Sequence, residues 1–187
     1  GLPVHISTQA NISNIEAVRH HARYADVMVL ARELSLEQMA SICKQIDEEE
    51  IIGPSGNPVR VEVFIHGALC MAISGKCYLS LHQNNITANR GVCRQECRKA
   101  YEVTEAESGR SLKIDNEYIM SPSDLCTISF IDRIIDTGVG VLKIEGRGRS
   151  PEYVKTVTMC YNEAITAVVE GTYTPARAAE WESRLRS

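Results

Sequence analysis

The stretch VEVFIHGALCMAISGKCYLS, residues 61–80, decides how the chain is read. Val61, Val63 and Ile65 alternate with Glu62, Phe64 and His66, the period-two pattern of a strand, and the β-branched residues agree with it. The strand stops at Gly67. Cys70 and Cys77 follow, with Gly75 between them, so two thiols lie just past the C-terminal end of a strand. That end is where α/β proteins commonly place their chemistry.

Upstream of this stretch, residues 2–6 read as a short strand ending in Ser7, Thr8 and Gln9. A helix follows over residues 14–24, with Asn11 or Ser13 as its cap and Ile15, Val18 and Ala22 on one face. Residues 27–30 form a second strand, which ends in Arg32 and Glu33. Ser35 caps a helix that runs to about residue 50, with Leu36, Met39, Ala40 and Cys43 on its buried side. The Gly- and Pro-rich run 53–58 is a turn leading into the central strand.

Downstream, residues 81–96 have no clean period and read as loop. Residues 101–104 and 111–114 flank Glu107-Ser108-Gly109-Arg110 and read as a hairpin outside the main architecture. Ser121, Pro122, Ser123 and Asp124 signal a helix start, with the stripe Ile128, Ile131, Ile134 and Ile135 extending it over 125–137 until Gly138. Residues 141–144 make a fourth strand, ending in Glu145, Gly146, Arg147, Gly148 and Arg149. Helices opened by Pro151 and Pro175 close the chain. Repeated βα units imply parallel strands with right-handed crossovers. The expected fold is therefore α/β, a partial (β/α) TIM-like barrel with a cysteine-rich insertion and a β-hairpin, its strand ends sharing one mouth. Residues 1–187 form a single domain, the C-terminal portion of such a barrel. The chain opens on Gly1 with no initiator Met, and four units make half a barrel, so N-terminal strands of the same protein are expected to lie outside it.

Composition narrows the class. With 44% hydrophobic and 24% charged residues the chain is ordinary globular protein, and a net charge of -4 gives no whole-chain reason for nucleic-acid binding. A local basic patch is compatible with that charge. No window has the roughly 20 apolar residues of a membrane span, and no signal-peptide layout is present, so a cytoplasmic location is expected. Seven cysteines are many for a reducing compartment, which directs several of them toward a metal or a cluster.

Cys43 and Cys160 fall among apolar helix neighbours and read as core. Cys70, Cys77, Cys93, Cys97 and Cys126 fall at strand ends, in loops or at a helix start, positions that can converge on an iron-sulfur cluster or a structural zinc. Their spacing matches neither a ferredoxin nor a zinc ribbon. Four residues separate Glu62 from His66, which places both on one face of the strand; His66 then reads either as a satisfied core histidine or as a donor or acid/base facing substrate. Glu145 and Arg147 read either as an ion pair at the rim or, with Arg149, as a binder of carboxylate or phosphate. Arg90, Arg94, Arg98 and Lys99 surround two cysteines and read as a solvated face, a support for a cluster, or a contact for RNA.

The segments EVFIHGALC (62–70) and SGKCYLS (74–80) resemble the signature of the collagenase-like peptidases of unassigned catalytic type, the family numbered thirty-two in that class. VHISTQAN (4–11), ANRGVC (88–93) with Cys97 and Arg98, SPSDLC (121–126), LKIEGR (142–147) and SPEYV (150–154) extend the resemblance over nearly the whole chain. The resemblance implies a partial βα barrel holding a 4Fe-4S cluster on Cys70, Cys77, Cys93 and Cys126, with Cys97 a reserve ligand and zinc an occupant in aerobic preparations. It includes proteins of oxygen-independent ubiquinone hydroxylation, of prephenate-dependent tRNA wobble-uridine hydroxylation and of ribosomal RNA cytidine hydroxylation, and relatives labelled collagenases. The expected function is iron-sulfur-dependent hydroxylation of RNA, with Glu62, His66, Glu145 and Arg147 as catalytic candidates and prephenate or a quinone as further small-molecule partners. The alternatives are a collagenase-like protease and a zinc-stabilised module without catalysis. No Ser-His-Asp or HExxH arrangement supports the protease.

Overall fold

The structure, a computed structural model, describes residues 3–114 and 123–186. Strand β1 (His5–Ile6) pairs in parallel with β2 (Val27–Val29), and β2 pairs in parallel with β3 (Arg60–Gly67). The other edge of β3 carries β7 (Val141–Glu145), also parallel. Helices α1 (Ile15–Ala22) and α2 (Leu36–Glu48) supply the first two crossovers. Among the described residues the sheet is open, not a closed barrel: β1 pairs only with β2 and β7 only with β3. The expected barrel fragment is thus seen as an open α/β sheet, because its outermost strands have no described strand to close against.

Each helix begins where a side chain satisfies its free N–H groups. Asn14, not Asn11 or Ser13, caps α1 by accepting from Ala17 N at 2.9 Å. Ser35 and Gln38 bond reciprocally at the start of α2, a capping box. Ser150 accepts from Tyr153 N and Pro151 opens α5 (Pro151–Val169). α6 (Pro175–Arg186) then folds back so that Trp181 is buried and its indole N–H donates to Glu163. The apolar faces of α1, α2, α5 and α6 meet Met28, Leu30, Val61, Val63 and Ile65 in one core. Cys43 and Cys160 lie in it, as their apolar neighbours predict.

Two segments depart from the sequence reading. Residues 81–96 are not all loop, since α3 (Tyr78–Asn84) forms there. The Cys77 sulfur caps it by accepting from Ser80 N, and Asn85 ends it in the left-handed region at φ 52°. The helix expected over 125–137 is shorter. Leu125–Cys126 forms β6, antiparallel to the end of β3, and only Ile131–Ile135 is α-helix (α4), after a 3-10 turn at Ile128–Phe130. The reason is an unfilled edge: β2 pairs β3 only as far as Glu62, so the backbone at His66 and Gly67 has room for another strand. The proposed helix start at Ser121 and Pro122 lies outside the described residues, as does Leu2 of the first strand. The hairpin forms as expected, β4 (Tyr101–Thr104) against β5 (Ser111–Ile114).

The central strand carries a bulge. Phe64 pairs with Lys143 but His66 pairs with the next residue, Ile144, leaving Ile65 as an extra residue. Its carbonyl, released from the ladder, accepts from the Tyr161 hydroxyl at 2.8 Å and the Thr127 hydroxyl at 2.9 Å. Beyond it, Gly67 (φ 107°) lets β3 and β7 approach so closely that a Cβ there would strike the Glu145 carbonyl.

Candidate functional site

The C-terminal strand ends and the cysteine-rich segment enclose a cavity of about 280 Å³. His66, Cys70, Cys93, Cys97, Arg98, Glu145 and Arg147 all reach it. A second cavity, about 550 Å³, adjoins the first through Cys70, Cys93 and Cys97 and adds Cys77. Four of the five cysteines placed in loops and at element starts by the sequence therefore rim one space. The fifth, Cys126, lines neither cavity. It packs against the helix layer, with its thiol beside the Tyr161 hydroxyl. All seven cysteines are free thiols. Burial foremost, and then the neighbouring Cys70, push the Cys97 thiol above its ordinary pKa. Burial raises Cys43 to about 11 and also raises Cys160. Among the described residues no three of His, Cys, Asp and Glu close around one point suited to a single metal ion. The thiols of Cys70, Cys77, Cys93 and Cys97, which line the joined cavities, are of the donor type that iron-sulfur clusters take.

Arg32 fixes the loop that carries the first thiol. From the end of β2 its guanidinium donates to the carbonyls of Cys70 (3.1 Å) and Ala72 (2.7 Å), while its backbone N–H donates to Ser74 Oγ at 3.2 Å. Glu33 accepts from Ser74 N at 2.9 Å. Burial is the largest influence and opposes the Glu33 charge, but this bond together with the Glu33 backbone N–H, the Ser74 side chain and the Arg32 charge outweighs it and holds the pKa below the usual carboxylate range. At Gly75 (φ 79°) the loop passes so close to the Gln9 carbonyl that a side chain would not fit. The polar residues after β1 and β2 were legible in the sequence as strand ends, but their grip on residues 70–75 depends on tertiary contact.

Glu62 does not join His66. The bulge interrupts the alternation on which their shared face rested: Glu62 binds Lys143, whereas His66 meets Tyr153 and Tyr161 of α5 and lines the cavity together with Phe64. Glu62 is 3% exposed and lines neither cavity. Its carboxylate binds Lys143 Nζ at 2.7 Å and His5 Nδ1 at 2.6 Å. Burial works against that charge, yet the bonds to Lys143 and His5 win and lower the pKa. His66 is 4% exposed. Its Nδ1 lies 3.2 Å from the Tyr161 hydroxyl, and its ring meets Tyr161 edge-on at 5.3 Å and Tyr153 at 6.0 Å. Burial lowers its pKa; Asp124 opposes this and Arg149 adds to it.

The rim ion pair between Glu145 and Arg147 does not form. Glu145 accepts from the backbone N–H of Arg147 at 2.8 Å, and the Arg147 guanidinium turns to Gln95. With its amide oxygen facing them, Gln95 accepts from Arg147 Nε and Nη2 at 3.2 Å and from Arg98 Nη1 at 3.1 Å. Two guanidinium groups are thus held side by side on the cavity wall by a neutral acceptor, an arrangement suited to an anion. Arg149 is not part of it. It binds both oxygens of Asp124 at 2.6 and 2.7 Å and stacks on Tyr153, whose hydroxyl also donates to Asp124; burial and this bond push the tyrosine to about 12. The basic cluster divides likewise. Lys99 pairs with Glu96 and Arg94 reaches Asn84, while Arg98 faces the cavity. Gln95 and Tyr161 carried no signal in the sequence, and Asp124 read only as part of a helix start; Gln95 owes its place to a left-handed backbone (φ 56°) that no neighbouring residue announces.

The family profile described as Peptidase family U32 matches residues 1–187. The chain belongs to this family. Among its U32 relatives, a collagenase of Porphyromonas gingivalis is 57% identical over 185 residues, 99% of this chain and 45% of its own length. The tRNA hydroxylation protein P1 of Bacillus subtilis is 37% identical over 169 residues, 88% and 37% of the two lengths. The 23S rRNA 5-hydroxycytidine C2501 synthase of Escherichia coli is 36% identical over 182 residues, 95% and 25%. The chain thus spans about half or less of the length of these relatives. No solved structure matches it significantly. Among the described residues no helix is long and apolar enough to cross a membrane.

Proposed function

We propose that this chain carries the site of an iron-sulfur-dependent hydroxylation of RNA, on a tRNA uridine or a ribosomal RNA base. The observation that carries the reading is the joining of two cavities, one rimmed by Cys70, Cys77, Cys93 and Cys97, the other walled by the Arg98–Gln95–Arg147 group. Cys70, Cys77 and Cys93 would hold a 4Fe-4S cluster, with the fourth thiolate from Cys97, which lines the cavity, or from Cys126, which the family resemblance implies. When bound, such a cluster supplies one-electron transfer. The chain's own residues do the rest: Arg32 fixes the Cys70 loop, Arg98 and Arg147 hold an anionic group, and His66 reaches the same cavity. That anion is an RNA phosphate or the carboxylate of a small acid such as prephenate. The partial βα barrel, completed by N-terminal strands of the same protein, and a cytoplasmic location go with this reading.

A collagenase-like peptidase is the second reading, favoured by the name of the relative that is 57% identical. Peptide hydrolysis needs an activated nucleophile or a metal-bound water. Among the described residues no thiol of the cavity is hydrogen-bonded to His66, and the Cys97 thiol is pushed toward its unreactive protonated form. Anaerobic purification of the full-length protein with iron and sulfide assay, together with mass spectrometry of RNA nucleosides and quinones from a deletion strain, tests the choice. Bound iron and sulfide and a lost hydroxylated nucleoside are expected. Loss of a quinone intermediate instead would shift the substrate to ubiquinone. Unchanged profiles with peptidase activity abolished by Cys70→Ala would overturn the hydroxylase reading.

A further inference from the structure

We propose that Tyr161 is a positioning residue that holds His66 as its Nδ1–H tautomer, so that Nε2 presents a bare acceptor to the mouth cavity. The protons around one buried hydroxyl can be counted. A tyrosine hydroxyl has one proton to give and two lone pairs. Besides the Cys126 thiol, a weak donor and acceptor, three groups lie within hydrogen-bond distance of that of Tyr161: the Ile65 carbonyl at 2.8 Å, the Thr127 backbone N–H at 2.9 Å and His66 Nδ1 at 3.2 Å. A carbonyl can only accept, so it takes the proton. A backbone N–H can only donate, so it takes one lone pair. What remains for His66 is the second lone pair, and Nδ1 must carry the hydrogen to fill it.

The bulge makes this possible. It frees the Ile65 carbonyl from the ladder and turns His66 toward α5, where Tyr161 stands. Thr127, just past β6, fixes the hydroxyl from the other side. His66 is then neutral, in keeping with its burial, and Nε2 has no hydrogen-bond partner among the described residues although the side chain lines the cavity. A bare Nε2 there takes a hydrogen bond from a substrate hydroxyl or N–H and can receive its proton. It complements Arg98 and Arg147, which can only donate. The part of the inference that concerns substrate rests on the hydroxylase reading; the tautomer does not.

The test is the tautomer itself. The full-length protein is labelled with 15N-histidine, and long-range 1H–15N correlations are recorded near neutral pH. The His66 signals are assigned by their loss in His66→Gln or by contacts with the Tyr161 ring. A protonated Nδ1 and an unprotonated Nε2 are expected, and Tyr161→Phe, which removes the acceptor, should move the hydrogen to Nε2. Wild-type His66 with its hydrogen on Nε2, or a tautomer unchanged in a folded Tyr161→Phe protein, overturns the proposal. If that variant does not fold, the wild-type spectrum alone decides. A protein that binds no iron yet shows the Nδ1–H form would sink the hydroxylase reading and leave the tautomer assignment standing.

Discussion

Arg32 donates to the carbonyl of Cys70 at 3.1 Å, across 38 residues of sequence, and the same guanidinium reaches Ala72 at 2.7 Å. One planar fork at the end of β2 therefore sets where the thiol after β3 can sit. Lysine keeps the charge but offers a single point donor in place of the fork. Arg32→Lys is expected to leave the sheet and helices intact while loosening residues 70–74. Hydrogen exchange should rise in that segment alone, and iron retained after anaerobic purification should fall several-fold. Unchanged exchange at 70–74 would mean that Ser74 and Glu33 hold the loop without Arg32.

Glu62, on the central strand, sits between His5 of β1 and Lys143 of β7. Its pKa is lowered in the folded chain, so the stability it contributes is full above the ordinary carboxylate pKa of about 4.3. It is lost as pH falls through the lower folded value. Glu62→Gln should cost about 1–3 kcal/mol at neutral pH, the lower end being favoured because both partners are partly exposed. The difference from wild type should shrink as the solution is acidified toward pH 3. Thermal melts of the two proteins across that range check it; a gap that widens in acid would reverse the assignment.

Much of this arrangement was legible in the strand itself. The period-two pattern at residues 61–66, the turn before it and the capped helices around it follow from local chemistry, and they appear where expected. Cys43 and Cys160 lie in the core and Cys70, Cys77, Cys93 and Cys97 line one cavity, but Cys126, expected with the latter, packs against the core instead. The bulge at Ile65 was not legible, because no residue in that run departs from strand propensity; a one-residue slip is decided by what the freed carbonyl can bond, here Tyr161 and Thr127 from distant parts of the chain. That slip is what separated Glu62 from His66. The short α3 was missed for a similar reason, since its cap is a cysteine sulfur and not one of the usual oxygen-bearing residues.

The cysteines divide into testable groups. Cys70, Cys77, Cys93 and Cys97 share a cavity, Cys126 stands beside Tyr161, and Cys43 and Cys160 are core. Single alanine variants purified anaerobically should lose most of their iron for Cys70, Cys77 and Cys93 and keep it for Cys43 and Cys160. Of Cys97→Ala and Cys126→Ala, only one should lose it. Loss with Cys97 would make the cavity the coordination sphere, whereas loss with Cys126 would require β6 to shift its end toward the other thiols when the cluster is bound.

Arg147 bears on substrate. Its guanidinium makes no ion pair among the described residues and is held toward Arg98 by Gln95, so the charge is oriented but not neutralised. Arg147→Lys retains the charge and loses the planar fork, which for a bidentate anion costs about 1–3 kcal/mol, roughly a five- to 150-fold loss of substrate affinity or kcat/KM. Gln95→Leu should act in the same direction by leaving two guanidinium groups adjacent with no acceptor between them. Neither change should alter iron content, because Arg32 and not Arg147 holds the Cys70 loop. Quantifying the hydroxylated nucleoside in a deletion strain carrying each variant reads the effect. Full restoration by Arg147→Lys would show that a point charge suffices there, and the carboxylate or phosphate would then have to be held elsewhere in the cavity.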